Sequence, residues 1–363
     1  MTSSSPRLSR RALITASLTV AGASALAACT KSDPEVAPAA VAASGTPEIP
    51  KTGLALVTVG TAAGPSVRSA RNGIATALVV DGNLYVIDAG LGVTRGVSDA
   101  KLPTKDLKAI FLTHLHSDHI GELPAFIMWN WGPPVDGPTE PIRIVGPGSA
   151  GELPAGFPTT INPAVPGTRA TVDAILEAYA YDINIRVVDE NRPPLNEMLL
   201  VDEITLPEGA SANGTSAPAM EPFEVYRDEH VRVLATLVDH PPVFPAYGFR
   251  FETKYGTVVV SGDTAKTDNM VTLSEGADVL VHESVYLPFY EKQNKYSREF
   301  INHLAQSHTT PEEIGDIATR AGVGHVVLSH LAGVATDEEW ASGVRSTYSG
   351  KVTVAADRQV FVF

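Results

Sequence analysis

The chain has 363 residues, 44% of them hydrophobic, a formal net charge of −14 and a single cysteine, Cys29. Length and apolar share suffice for a full core, as one large domain or two small ones, and one cysteine excludes an intrachain disulfide. The acidic balance lacks the basic footprint of a nucleic-acid binder, and beyond the first 28 residues no uninterrupted apolar run is long enough to span a bilayer.

Residues 1–28 hold Arg7, Arg10 and Arg11 and no acid, so the remainder is nearer −17. Ser9-Arg10-Arg11-Ala12-Leu13-Ile14 opens a weakly apolar stretch ending in Leu26-Ala27-Ala28-Cys29. An arginine pair ahead of a modest apolar region reads as a twin-arginine export signal, and Leu-Ala-Ala-Cys resembles a bacterial lipobox. The expectation is cleavage before Cys29, lipidation of that residue, and a location on the outer side of the bacterial cytoplasmic membrane. Residues 29–50, rich in Ala, Pro, Ser and Glu without periodicity, read as a disordered tether. Residues 51–363 then form the folded domain.

Leu54–Thr61 reads as a strand leading into a Gly/Pro turn. Thr76–Val80 and Leu84–Ile87 read as a hairpin through Asp81-Gly82-Asn83, ending at Asp88-Ala89-Gly90. Ala109–Leu112 is a short apolar run bounded by polar residues, a buried strand, followed by His114, His116, Asp118 and His119. Side chains two apart on an extended segment share a face, so His114 and His116 can grip one metal ion. Asp118 and His119, past the start of a turn, can reach a second. Imidazole and carboxylate donors suit a borderline ion such as zinc.

Leu123–Trp131 predicts one or two helical turns with a large apolar load. Trp129 and Trp131 are core residues in that reading, with pocket lining as the alternative. Residues 132–222 are the least regular third, with the clearest helix over Arg169–Asp182 and a loop over Val201–Pro222. About 120 positions separate His119 from the next candidate ligand, so this stretch reads as an insertion overhanging the metal edge as a lid or arm.

Val231–Val238 predicts a strand that delivers Asp239-His240, and Tyr247–Phe251 begins a hairpin. Thr257–Val260 is a buried strand ending in Ser261-Gly262-Asp263-Thr264, and Asp278–Val281 is another, tipped by His282-Glu283-Ser284. Ser307-His308-Thr309-Thr310-Pro311 opens a helix from Pro311 to Ala321, with Thr309 or Thr310 as N-cap and two glutamates in the first turn. Val326–Leu331 is the last buried strand, with His330 near its tip, and Val352–Val354 and Gln359–Phe363 read as closing strands. His230 and His325 read as structural or exposed, and nothing decides a role for His303.

His114-x-His116-x-Asp118-His119 after an apolar strand resembles the signature of the metallo-β-lactamase superfamily. The stretches at His282-Glu283-Ser284 and Ser307-His308-Thr309 resemble the His-Glu-Ala-Thr and His-Ser-Thr motifs of one branch. That branch holds transfer-RNA 3′-processing endonucleases of the ribonuclease Z kind and an arylsulfatase. The resemblance implies an α/β fold, a four-layer αβ/βα sandwich with metals at one edge of the paired sheets. It implies two divalent ions, zinc first and manganese or iron as alternatives. One would sit on His114, His116 and His240, the other on Asp118, His119 and His330, with Asp263 between them. Asp88 would orient a liganding histidine. His308 would be the general acid, Glu283 its orienting carboxylate and His282 a supporting residue, with Asp118 counted among the catalytic groups as well as the ligands.

The function this implies is an exported dinuclear hydrolase of small phosphodiesters or sulfate esters. A metal-activated water would be the nucleophile, and His308 would protonate the leaving oxygen. The alternatives are a ribonuclease Z-like endonuclease, a hydrolase of lactones or other esters, and a non-catalytic metal-binding lipoprotein. Export, the acidic balance and the few basic residues of 132–222 weigh against RNA. The expected partners are therefore a small-molecule ester and, through Cys29, a membrane, with nucleic acid disfavoured. Homo-oligomers are common in the superfamily, although no self-complementary patch is legible here.

Overall fold

The computed structural model describes residues 49–68 and 70–363. The export signal, Cys29 and all of the tether except Ile49 and Pro50 lie outside the described residues. β1 (Leu54–Gly60), β2 (Ala75–Val80) and β3 (Asn83–Ile87) form an antiparallel meander where the apolar runs place it. Asp81 and Gly82 take positive φ, 50° and 81°, as a two-residue hairpin turn between right-twisted strands requires.

Parallel pairing then takes over, which needs crossover connections. After α1 (Val93–Asp99) comes β4 (Leu107–Phe111), then α2 (Ser117–Ile120), α3 (Leu123–Trp129) and β5 (Ile142–Pro147). α4 (Thr168–Ala178), α5 (Ala180–Asp189) and α6 (Leu195–Met198) lead to β6 (Leu199–Ile204). The second half opens with β7 (Phe223–Arg227), β8 (Arg232–Leu237), β9 (Tyr247–Thr253) and β10 (Gly256–Val260). It continues through α7 (Asp268–Leu273), β11 (Val279–Val285), α8 (Leu287–Glu291), α9 (Arg298–Ser307) and α10 (Pro311–Ala321). It closes with β12 (His325–Ala332), α11 (Asp337–Arg345), β13 (Lys351–Val354) and β14 (Gln359–Val362).

Among the described residues these strands make two seven-stranded sheets, β14-β1-β2-β3-β4-β5-β6 and β13-β12-β11-β10-β9-β8-β7. Period-2 alternation divides their side chains between layers. Leu54 and Leu56 of β1 join Phe111, Phe249 and Phe251 between the sheets. Ala55, Val57 and Val59 face the other way, with Val93, Leu123 and Val172 of the first helical layer. Val259, Leu280 and Val326 pack with Ile314, Ile317 and Trp340 of the second. Three apolar cores between four layers are the expected αβ/βα sandwich.

The stretch 132–222 differs from the single insertion that its turn-rich sequence suggests. β5 and β6 are integral to the first sheet, and α4 packs on it through Val172. Irregular chain is confined mainly to 148–167 and 205–222, tied together where Asn213 Oδ1 accepts from Ala155 N at 2.6 Å. The second of these loops reaches the metal edge, where Ser216 Oγ donates to Asp239 Oδ1 at 2.5 Å. The helix expected over 169–182 breaks at Tyr179 and resumes to Asp189. Trp131 is a core residue with its indole N–H on the Pro193 carbonyl (2.9 Å), whereas Trp129 is 67% exposed.

Candidate metal centre

The cluster forms where strands meet at their carboxyl ends, the edge at which parallel sheets gather functional groups. Asp88 follows β3, His114 to His119 follow β4, His240 follows β8, Asp263 follows β10, Glu283 lies late in β11 and His330 late in β12. Two local distortions aim these side chains. The β11–β12 register slips between His282 and Ser284, a bulge of the kind that redirects side chains beside active sites. Asp88 and His330 have φ of 61° and 42°, conformations that non-glycine residues hold only when the surroundings enforce them.

The donor atoms converge in two main groups, and a third overlaps them. Donors of His114, His116, His240 and Asp263 lie within 4.8 Å of one another, as do those of Asp118, His119 and His330, and those of Asp263, His308 and His330. His114 Nε2 and His240 Nε2 stand 3.0 and 3.3 Å from His116 Nδ1. In the second group Asp118 Oδ2 is 3.7 Å from His119 Nε2 and 3.4 Å from His330 Nε2. Asp263 Oδ2 lies 3.4 Å from His119 Nε2 and 4.0 Å from His114 Nε2, so this carboxylate stands between the groups.

The rings are held from behind. His119 Nδ1 meets Asp88 Oδ2 at 2.8 Å, and His240 Nδ1 meets the Ser307 carbonyl at 2.8 Å. Thr113 Oγ1 lies 3.1 Å from His114 Nδ1 and 2.9 Å from Asp88 Oδ2, while the Thr113 amide donates to Asp88 Oδ1. Such partners fix the tautomer and leave the opposite nitrogen free. On the open side, the buried His119 Nε2, Asp263 Oδ1 and His330 Nδ1 meet no hydrogen-bond geometry; His330 Nδ1 faces Asp263 Oδ1 at 3.3 Å and His119 Nε2 lies 3.4 Å from Asp263 Oδ2. Buried polar atoms left without partners cost free energy, and here they point toward one small volume. The donor set therefore fits two divalent ions.

Comparison with known proteins agrees. A profile described as "Metallo-beta-lactamase superfamily" matches residues 70–141. The putative ribonuclease Z of Mycobacterium tuberculosis (strain CDC 1551 / Oshkosh) is 30% identical over 251 residues, 68% of this chain and 96% of that protein. The chain belongs to the metallo-β-lactamase superfamily, in its ribonuclease Z-like branch. Ribonuclease Z of Mycobacterium bovis (strain BCG / Pasteur 1173P2) is 29% identical over 79% of this chain and 90% of its own length. The short form of human tRNase Z superposes with a TM-score of 0.55 at 21% identity, covering 85% of this chain and 98% of that one. The metallo-β-lactamase fold protein YhfI of Bacillus subtilis gives 0.56 at 18%, covering 85% and 99%.

As a superfamily member the chain is a metal-dependent hydrolase, and its electrostatics suit that role. Burial lowers the pKa of His114, His116 and His240, the last to about 3, so these imidazoles are neutral, the form that binds metal. Burial opposes a proton on His119 too, but Asp263 and Asp88 outweigh it and raise its pKa well above the ordinary value. Burial would raise Asp263, yet His330 and His119 hold it far down as an anion. Positive charge is demanded between these carboxylates.

His308, the added member of the third group, has Nδ1 3.1 Å from Glu283 Oε1, which also accepts from the amides of Thr309 (3.0 Å) and Thr264 (3.2 Å). The His308 ring sits 5.1 Å from that of His240 and 5.9 Å from that of His330, beside both metal groups. His282 is in none of the donor groups; it is buried behind Glu283, with Nδ1 2.7 Å from the Glu283 carbonyl. His325 bonds Thr353, away from the cluster. A cavity of about 210 Å³, lined by Gly64, Arg68, Arg71, Leu91 and Ser117, opens beside Asp118.

Sequence reasoning passed over Thr113 and Gly64. Thr113 adjoins the histidine motif, so adjacency was its signal. Gly64 N donates to Asp118 Oδ2 at 2.9 Å, and a Cβ on Gly64 would overlap the Asp118 side chain. Its one mark was a place in the Gly/Pro turn after the first strand. The expectation that nucleic acid is disfavoured is overturned, since the relatives aligning over most of the chain are ribonucleases Z. Net charge sums the whole surface and carries no information about one cleft.

Proposed function

We propose that the chain is a phosphodiesterase of the ribonuclease Z type that cleaves RNA. The observation carrying this reading is the His308–Glu283 pair set beside both donor groups, in a chain aligned over 68% of its length with a putative ribonuclease Z. His114, His116 and His240 would hold one ion, Asp118, His119 and His330 the other, with Asp263 shared. When bound, such a pair supplies Lewis acidity to phosphoryl oxygens and makes water acidic enough to attack near neutral pH.

The rest is the work of side chains. Asp88, Thr113 and the Ser307 carbonyl hold the liganding imidazoles in register. Glu283 engages Nδ1 of His308, leaving Nε2 as the nitrogen that faces substrate. Burial alone would lower the His308 pKa, but the charge and hydrogen bond of Glu283 outweigh it and raise it to about 9. His308 thus carries a proton at neutral pH and delivers it from Nε2 to the departing oxygen, the group that most needs it when an RNA alkoxide leaves.

The deciding assay sets a precursor transfer RNA with a 3′ trailer beside bis(p-nitrophenyl) phosphate, p-nitrophenyl sulfate and an acyl-homoserine lactone. Turnover of both phosphodiesters, abolished by chelation and restored by divalent ions, is the expected result. Turnover of only the sulfate or the lactone would overturn it. The residues from Ser9 to Cys29 further suggest that this chemistry works outside the cytoplasm on a lipid tether. In that case the protein fractionates with membranes, and Cys29→Ala releases it to the soluble fraction.

A further inference from the structure

Between Glu283 and His308 the chain makes a helical hairpin, α8 and α9, that the mechanism above leaves unused. Tyr290 and Leu304 seat it against Ala63, Val285 and Ala332, at the rim of the metal cleft. α9 ends on Ser307, whose carbonyl meets His240 Nδ1 and whose Oγ lies 3.2 Å from His303 Nδ1. Positions 300, 303, 304 and 307 share one helix face. The face that touches His240 therefore runs outward through His303 to Phe300.

At that outer end the Tyr296 and Phe300 rings stack, with centroids 5.5 Å apart and 21° between planes, and Phe300 is 40% exposed. Lys295 Nζ lies 5.0 Å over the Tyr296 ring, and Lys292 and Arg298 are exposed nearby. The acids of residues 286–307 are Glu291 and Glu299, so the hairpin itself carries one net positive charge on a chain whose net charge is −14. Half-exposed rings with cations around them are what single-stranded nucleic acid recognises: a π face for a base and positive charge for its phosphate.

We propose that the α8–α9 hairpin, through the Tyr296–Phe300 stack and His303, seats an unpaired nucleotide of the RNA beside the scissile phosphate; this rests on the ribonuclease reading above. The seven helical residues 301–307 separate Phe300 from His308, about 12 Å along the axis, a span of a few nucleotides. His303, whose Nε2 makes no hydrogen bond among the described residues, supplies a polar contact between the stack and the reacting centre.

The test uses the full-length, metal-loaded protein. The probe is a short single-stranded oligoribonucleotide carrying 2-aminopurine and phosphorothioate linkages that slow cleavage. Wild type should quench the fluorophore on binding. Phe300→Ala should lose the quench and bind about tenfold more weakly, and Phe300→Tyr should restore both. In turnover, the ratio of kcat/KM for cleavable RNA to that for methyl p-nitrophenyl phosphate, which has no base, should fall about tenfold in Phe300→Ala. Wild-type quenching and an unchanged ratio in Phe300→Ala overturn the platform and leave the ribonuclease reading standing. Equal losses on both substrates, unrescued by Phe300→Tyr, mean a packing role and also overturn it. A wild type that hydrolyses the methyl ester yet neither binds nor cleaves RNA overturns the ribonuclease reading, and the platform falls with it.

Discussion

His308 and Glu283 divide one task between them, and their substitutions should separate it. A general acid acts only while protonated, so the rate falls as pH rises through its pKa. Glu283 lifts that pKa against the effect of burial, and Glu283→Gln removes the charge while keeping the shape. The basic limb of the pH–kcat/KM profile should then move down by at least about one unit. His308→Ala should cost about 10²–10⁴-fold on RNA and less on bis(p-nitrophenyl) phosphate, whose nitrophenolate leaves without a proton; a leaving-group series reads the difference. Gly64 poses a steric question instead. Its amide holds Asp118, and any side chain there displaces that carboxylate. Gly64→Ala should drop metal content from two ions per chain toward one, measured by elemental analysis, with the His114, His116 and His240 group still loaded.

Among elements, α10 shows how a local signal positions chemistry. Thr310 N and Oγ1 both donate to Glu313 Oε2, at 3.0 and 2.8 Å, and Pro311 begins the helix. Thr310→Ala should lower stability by about 1 kcal/mol, read from chemical denaturation. It should also lower kcat, because His308 stands two residues ahead of that cap. This helix was legible because proline, a hydroxyl cap and glutamates coincide at its start. β5 and β6 were not. Ile142–Val145 is flanked by Pro141, Pro147 and glycines, so turn signals swamp four strand residues. β6 carries Asp202 and Glu203 on an edge strand, which breaks the apolar run. The pause at Tyr179 has no proline or glycine to announce it. The bulge at Glu283 and the positive φ of His330 arise from pairing across β11 and β12, which is settled by partners distant in sequence.

For the molecule as a whole, the fold was legible because each ligand motif sits at the end of an apolar run, and strand ends are where such sheets gather chemistry. What composition misjudged was the partner. A charge of −14 repels phosphate at long range, and the α8–α9 platform would grip RNA with few cations and by stacking. Lys292, Lys295 and Arg298 are the exposed bases beside the Tyr296–Phe300 stack. Three released counterions on a single strand give a slope of log K against log salt of about −2. A basic-footprint binder with 6–10 phosphate contacts would show roughly −4 to −7 by the same relation. Titrating a single-stranded oligoribonucleotide at several salt concentrations should therefore return the shallow slope, flattening further in Lys292→Ala/Lys295→Ala. A steep slope in the double variant would mean that a broad cationic surface elsewhere holds the RNA.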